Sequence, residues 1–195
     1  MNFQELVHKT RSYRRFDQTT PIPRDRIVAL VDLIRAVPSA GNRQPLRYIA
    51  SCGSQTNARI FETLGWAASL PDWPGPEEGE RPAGYVVFLH DSRVDSSWRL
   101  CDVGIAAQTL LLAATAEGLG GCMFGNIRKK RLQEILEVPE HLEIALVVAL
   151  GKPVEKVVLE QAAPQGPLTY YREPDGTHHV PKRPLTEVLL GLHQD

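Results

Sequence analysis

The sequence predicts a mixed α/β (α+β) fold, with helices flanking a sheet of modest size. Three observations carry this. Apolar stripes at helical spacing alternate along the chain with short continuous apolar runs of strand length. One helix, over residues 98–117, is apolar nearly all round, which places it at a protein centre or in a subunit interface. The chain has 195 residues, 43% of them hydrophobic, enough for one domain with a real core.

The elements follow in order. Residues 2–9 read as a short helix leading into the basic cluster Arg11-Ser12-Tyr13-Arg14-Arg15. Pro23 suits the first turn of a second helix, in which Ile27, Leu30, Val31 and Ile34 fall at i, i+3, i+4 and i+7. Pro38 ends it, and a polar loop runs to Pro45. Leu46 to Cys52 reads as a strand, and Ser54 as the N-cap of a helix carrying Ile60, Phe61 and Leu64. The Pro-, Gly- and Glu-rich stretch from Pro71 to Pro82 reads as a mobile loop and a candidate lid on the substrate side.

Tyr85 to Leu89 is a continuous apolar run fit for a buried strand. After the long helix, Gly118-Leu119-Gly120-Gly121-Cys122 reads as a glycine-rich exit. Leu132, Ile135 and Leu136 mark another short helix, and Ile144 to Leu150 a second buried strand. The tail, 154–195, is sparse in core residues. It reads as an extended C-terminal arm packed across other surfaces, closed by a helix over Leu185–Leu192. The whole chain, 1–195, reads as one domain without internal repeats.

Composition excludes several classes. The formal net charge is −1, so no global field draws in nucleic acid or an anionic membrane. Cys52, Cys101 and Cys122 are odd in number and form no C-x-x-C pair. They read as free thiols in a reducing compartment. The N-terminal residues carry no basic region ahead of an apolar run. The longest apolar stretch, Val103 to Ala116, is interrupted by Gln108, Thr109 and Thr115 and is short for a bilayer. A cytoplasmic location is expected.

No G-x-S-x-G, H-E-x-x-H, Walker loop or strand-borne G-x-G-x-x-G occurs, which argues against the corresponding hydrolytic, zinc and dinucleotide-binding chemistries. Four polar or glycine-rich pieces remain, without an evident protein nucleophile. That pattern suits an enzyme whose cofactor supplies the reaction. Arg11, Arg14 and Arg15 around Ser12 offer guanidinium forks to phosphate, or form a solvated charge run. In Pro38-Ser39-Ala40-Gly41-Asn42-Arg43-Gln44-Pro45, Ser39, Asn42 and Gln44 can bond the edge of a flat heterocycle, or the segment is an ordinary loop. Gly120-Gly121 permits close approach to a ring, or ends the long helix. Lys182-Arg183 adds late positive charge.

Together these pieces resemble the nitroreductase family of FMN enzymes, from Arg11-Ser12-Tyr13-Arg14-Arg15-Phe16 to Val180-Pro181-Lys182-Arg183-Pro184-Leu185. Ala36 to Pro45 is similar to the family's A-P-S-x-x-N-x-Q-P. Tyr170-Tyr171-Arg172-Glu173 and His178 to Arg183 are similar to the C-terminal arm of one branch. The resemblance implies a homodimer with FMN shared between subunits, the 98–117 helix at its interface and the arm on the partner. It places Arg11, Ser12 and Arg14 near the FMN phosphate and ribityl oxygens, with Lys182 and Arg183 closing on the phosphate. Pro38, Ser39, Ala40 and Asn42, with Gln44 beside them, would come from the partner, and Gly120 and Gly121 would run beside the isoalloxazine.

The implied reaction is a ping-pong transfer of two electrons from NAD(P)H, through flavin N5, to a small acceptor such as a nitroaromatic or quinone. No side chain is needed as catalytic base, and no metal is implied. Dehalogenase, oxidase and flavin-fragmenting reactions on the same fold, and a flavin-binding module without turnover, are the alternatives. The chain departs from the family at Thr10, where a second basic residue often precedes the serine.

Overall fold

The structure is a computed structural model and describes residues 1–194. The chain forms two compact units. One comprises Met1–Trp66 and Gly75–Val154, the other Ala67–Pro74 and the chain from Glu155 onward.

The larger unit contains α1 (Phe3–Lys9), β1 (Phe16–Asp17), α2 (Arg24–Ile34), β2 (Leu46–Ser51), α3 (Ser54–Phe61), β3 (Gly84–Asp91), α4 (Arg99–Ala116), β4 (Gly120–Phe124), α5 (Lys129–Leu136) and β5 (Leu142–Pro153). Its sheet runs β1-β5-β3-β2, with β4 also on β5, and every pairing is antiparallel. All eight residues of β3 are buried, because both faces of the strand are covered. Val86 and Phe88 point toward Ile27, Leu30 and Ile34 of α2 and Ala106 and Leu110 of α4. Tyr85, Val87 and Leu89 point toward Ile60 of α3 and Leu132 of α5. A strand with two covered faces loses the polar half of its alternation, which is why the sequence shows a continuous apolar run.

The α2 stripe is as the periodicity predicts, with Ile27, Leu30 and Ile34 buried. Among the described residues α4 alone is long and apolar enough to cross a membrane. It is instead built into the core, with Ala106, Ala107, Leu110 and Ala114 fully buried. Two expectations change here. Gly53, not Ser54, is the N-cap of α3, and Leu64 lies beyond the helix. The glycine-rich exit after α4 is strand β4, and its glycines answer to packing. A Cβ on Gly121 would lie 2.4 Å from the Ala149 carbonyl oxygen, and one on Gly120 2.5 Å from the Tyr13 ring.

The Pro71–Pro82 stretch divides between the two units. Its second half is pinned rather than lid-like. Phe16 and Gln18 donate backbone hydrogen bonds to Glu80 and Gly79, and Arg15 clasps the Glu80 carboxylate with two bonds of 2.6 and 2.5 Å.

The smaller unit gives the tail strands that the sequence did not suggest. Segment 154–195 contains β6 (Val157–Gln161), β7 (Tyr171–Arg172), β8 (His178–Lys182) and a short α6 (Leu185–Val188) in place of the longer helix expected. The strands make a sheet of their own in the order β6-β8-β7, with β6 and β8 parallel. Side chains from separate stretches tie it together. Arg172 pairs with the fully buried carboxylate of Glu155 at 3.0 Å and stacks over Trp73 at 4.5 Å.

His179 of β8 pairs through Nδ1 with Glu160 of β6 and lies 3.4 Å through Nε2 from Glu173. Its ring stacks on Tyr171. The hydrogen bond that His179 donates to Glu160 raises the His179 pKa above its ordinary value, against an opposing desolvation. A folded-state pKa raised this way stabilises fully below the unfolded value and is lost as pH rises through the folded one. Amide-exchange protection of β6 and β8, corrected for intrinsic exchange, should therefore fall as pH rises above the ordinary histidine range. The drop should vanish in His179→Gln. A pH-independent protection in the unsubstituted chain would refute this.

Candidate functional site

The basic cluster begins where α1 ends. Thr10 caps that end, its amide and hydroxyl both donating to the Leu6 carbonyl, at 2.9 and 2.8 Å. The departure at Thr10 is thus a buried helix stop rather than a missing cation on the surface. Arg11 follows, half-buried, donating through Nη2 to the Val7 carbonyl at 2.6 Å. Its Nε is buried with no hydrogen-bond partner among the described residues, and desolvation lowers the guanidinium pKa. Ser12 is exposed. It bridges Gly121 in parallel register, and the Tyr13 amide donates to the Gly121 carbonyl at 3.0 Å. Arg14 is buried and donates to the Ser12 carbonyl at 3.3 Å. Arg15, the third cation of the cluster, is committed to Glu80.

The structure therefore brings the backbone of Ser12 and Tyr13, flanked in sequence by Arg11 and Arg14, against Gly121, and the Tyr13 ring against Gly120, more than a hundred positions away. The sheet does this. β4 pairs β5 along one edge, and the Ser12–Tyr13 backbone lies along the other.

The loop from Pro38 to Pro45 is a second construction, built on α4. After Ser39, a single 3-10 turn spans Ala40–Asn42. Gly41, Asn42 and Gln44 all have left-handed backbone, with φ of 57°, 51° and 49°, a conformation costly for the two residues that carry a Cβ. Asp102, in the first turn of α4 and only 2% exposed, holds the turn. Its carboxylate accepts from the Ser39 hydroxyl and the Ala40 amide, each at 3.0 Å. Ser39 Oγ accepts in turn from the Gln44 amide at 3.0 Å, and Gln44 Nε2 donates to Asn42 Oδ1 at 3.0 Å. Pro38, Asn42 and Gln44 face outward.

Behind the loop lies a groove of about 330 Å³, lined by Val31, Val37, Leu46 and Tyr48 besides Ser39, Gln44 and Asp102. Burial, with the Asp102 charge added, pushes the Tyr48 phenol up to about 12. Asp102 is the residue that reading the sequence missed. Its signal was faint: one acid in the first turn of a helix otherwise nearly all apolar.

Lys182 and Arg183 lie in the smaller unit. The Lys182 carbonyl accepts from the Ala162 amide at 2.8 Å, and Arg183 pairs with Glu187 at 3.0 Å on the surface.

The model of the nitroreductase family matches residues 7–152. The chain belongs to the nitroreductase family. The match spans both the Ser12–Gly121 contact and the Asp102-held loop, and stops short of Lys182 and Arg183. A relative from Methanothermobacter thermautotrophicus, whose name carries both NADH dehydrogenase and NAD(P)H nitroreductase, is 27% identical over 161 residues, covering 80% of this chain and 79% of that protein. The FMN reductase [NAD(P)H] of Bacillus subtilis is 23% identical over 177 residues, covering 82% and 71%. Among solved structures, a nitroreductase family protein from Clostridium novyi NT superposes with a TM-score of 0.63 at 24% identity, covering 78% of this chain and 87% of that one. The FMN-dependent nitroreductase of Clostridium difficile R20291 gives 0.62 at 19%, covering 82% and 91%. The nitroreductase fold follows from these superpositions.

Proposed function

We propose that this nitroreductase-family chain is an FMN-dependent oxidoreductase, moving two electrons from NAD(P)H to a small acceptor such as a nitroaromatic or quinone. The observation that carries the reading is the Ser12–Gly121 bridge. It sets Ser12, between Arg11 and Arg14 in sequence, beside Gly121 and its neighbour Gly120, which supports reading these five as the same-subunit cofactor positions of the larger unit. The donors present fit FMN. The buried, partnerless Nε–H of Arg11 and the exposed Ser12 hydroxyl are what an anionic phosphate accepts from.

Arg11, Ser12 and Arg14 would hold the phosphate and ribityl oxygens, with Lys182 and Arg183 supplying further charge. Gly120 and Gly121 would present backbone beside the isoalloxazine. Pro38, Ser39, Ala40 and Asn42, with Gln44, would be offered by the partner subunit. When bound, FMN supplies the two-electron chemistry, so no side chain of this chain need act as an acid or base.

The dimer in this proposal uses the uncovered side of α4. Leu100 is 75% and Ile105 41% exposed there, with Trp98 just before the helix at 62%. Exposed apolar side chains of this size on one element suit burial against a second copy. The 154–195 arm would pack on that partner. Three free thiols and the nicotinamide donor suit a cytoplasmic enzyme.

The test is direct. Protein purified with FMN should show a flavin spectrum at one FMN per chain and should consume NADH or NADPH with a nitroaromatic or a quinone. Arg11→Gln should weaken FMN binding about tenfold, the size of one charge-assisted hydrogen bond, with an unchanged circular-dichroism spectrum. Failure to bind FMN at micromolar concentration overturns the proposal.

A further inference from the structure

Beside α3 lies a second cavity, of about 270 Å³. None of the residues assigned above to FMN lines it. Tyr85, Arg81 and Ser54, the first residue of α3, line it, and none of them has a role in the proposed reaction.

The first is Tyr85 of β3. The residue is 1% exposed, and its hydroxyl is buried without a hydrogen-bond partner among the described residues. Buried hydroxyls are nearly always bonded, so an orphan that lines a cavity points to something the cavity receives. Burial pushes the phenol well above its ordinary range, and the Arg81 charge pulls it only part of the way back. The hydroxyl is therefore protonated at neutral pH and able to donate.

The second is Arg81. Its guanidinium lies 4.4 Å over the Phe61 ring, and its Nε is buried without a hydrogen-bond partner among the described residues. The backbone that carries it is fixed, since Gln18 Oε1 accepts from the Gly79 and Arg81 amides at 2.8 and 3.2 Å. The third is the start of α3. Gly53 is its N-cap and offers no side chain, and no acid stands in the first turn. Amides at an uncapped helix start favour an anion.

The wall is firm. Asn57 accepts from Ser51 Oγ at 2.7 Å and donates to the Ala83 carbonyl at 2.8 Å. Pro21, Phe61 and Pro82 supply apolar lining. Glu78 is the one carboxylate among the lining residues, and it is exposed to solvent, where its repulsion is screened.

We propose that this cavity binds a small organic carboxylate. The carboxylate accepts from Arg81, the Tyr85 hydroxyl and the amide of Ser54 at the start of α3, and its apolar body rests against Phe61, Pro21 and Pro82. The volume, near the lower end for ligand pockets, limits the body to about one ring.

The test uses the FMN-loaded protein and cyclohexanecarboxylate, titrated at constant ionic strength. The readouts are the backbone amide shifts of Ser54, Gln55 and Thr56, with the flavin spectrum followed alongside. Saturable shifts at these amides, with the flavin spectrum unchanged, are expected. Cyclohexylmethanol, which lacks the charge, should not saturate them. Tyr85→Phe keeps the ring and the packing and should weaken binding about fivefold or more, as should Arg81→Gln, the loss of one donor to a charged acceptor. If Arg81→Gln fails to fold, Tyr85→Phe decides alone. Unshifted α3 amides, unchanged affinity in Tyr85→Phe, or inorganic phosphate competing as tightly as the ring carboxylate would each overturn the assignment.

Discussion

Asp102→Ala is expected to cost about 2–3 kcal/mol of stability and to lower FMN-dependent turnover at least about tenfold. The carboxylate is buried and holds two donors of one loop, the Ser39 hydroxyl and the Ala40 amide. Removing it leaves a cavity at the start of α4 and frees Ser39, which in turn loses its grip on the Gln44 amide. Asn42 and Gln44 keep their left-handed backbone only while the surroundings impose it. Without Asp102 the turn relaxes, and the face it would offer to a partner subunit in the proposed dimer is lost.

Asp102→Asn separates shape from charge. It retains an acceptor for the Ala40 amide, so about 1 kcal/mol of loss is expected. The Tyr48 phenol, raised first by burial and then by the Asp102 charge, should titrate lower in Asp102→Asn but stay above the ordinary tyrosine range. Chemical denaturation measures the first effect and ultraviolet titration the second. Equal stability of Asp102→Ala and the unsubstituted chain would show that the loop does not depend on this carboxylate.

The elements legible in the sequence are those whose burial is written locally. The α2 stripe and the two-face burial of β3 can be read from a few consecutive residues, because each side chain meets the core through its own element. β4 was not legible. Its first two residues are glycines, which read as a helix exit, and their reason lies elsewhere, in the Ala149 carbonyl and the Tyr13 ring. The small sheet of the tail was hidden for a similar reason. β6 and β8 pair in parallel across some twenty residues, and the Arg172 that steadies them is held by Glu155 and Trp73, from separate stretches of chain.

For the candidate site, the residue types were visible and their support was not. Arg11, Ser12 and Arg14 stand out as a motif, yet only the fold shows that Arg15 is spent on Glu80 and that Thr10 closes α1. Asp102 illustrates the limit. An acid in an apolar helix has no periodicity of its own, and its function is defined by a loop about sixty residues earlier.

Gly121→Ala is expected to destabilise the chain by about 3 kcal/mol or more. Its new Cβ would meet the Ala149 carbonyl oxygen at 2.4 Å, and that oxygen belongs to β5, the strand on which β1, β3 and β4 all pair. Backbone at the centre of a sheet has little room to yield. Gly120→Ala should differ in kind. There the nearest atoms are side chains, the Tyr13 and Pro153 rings at 2.5 Å, and rings can shift at smaller cost, about 1–2 kcal/mol. What moves with Tyr13, however, is the segment carrying Ser12 and Arg14, since the Tyr13 amide is bonded to Gly121.

The two substitutions thus separate the sheet from the proposed phosphate donors. Gly121→Ala should lower the melting temperature most, whereas Gly120→Ala should fold and bind FMN several-fold more weakly. Melting curves and flavin titrations on the same preparations make the comparison. If Gly120→Ala lost stability as severely as Gly121→Ala while keeping full FMN affinity, the basic segment would not be positioned through Tyr13, and the link between the β4 glycines and the cofactor donors would fail.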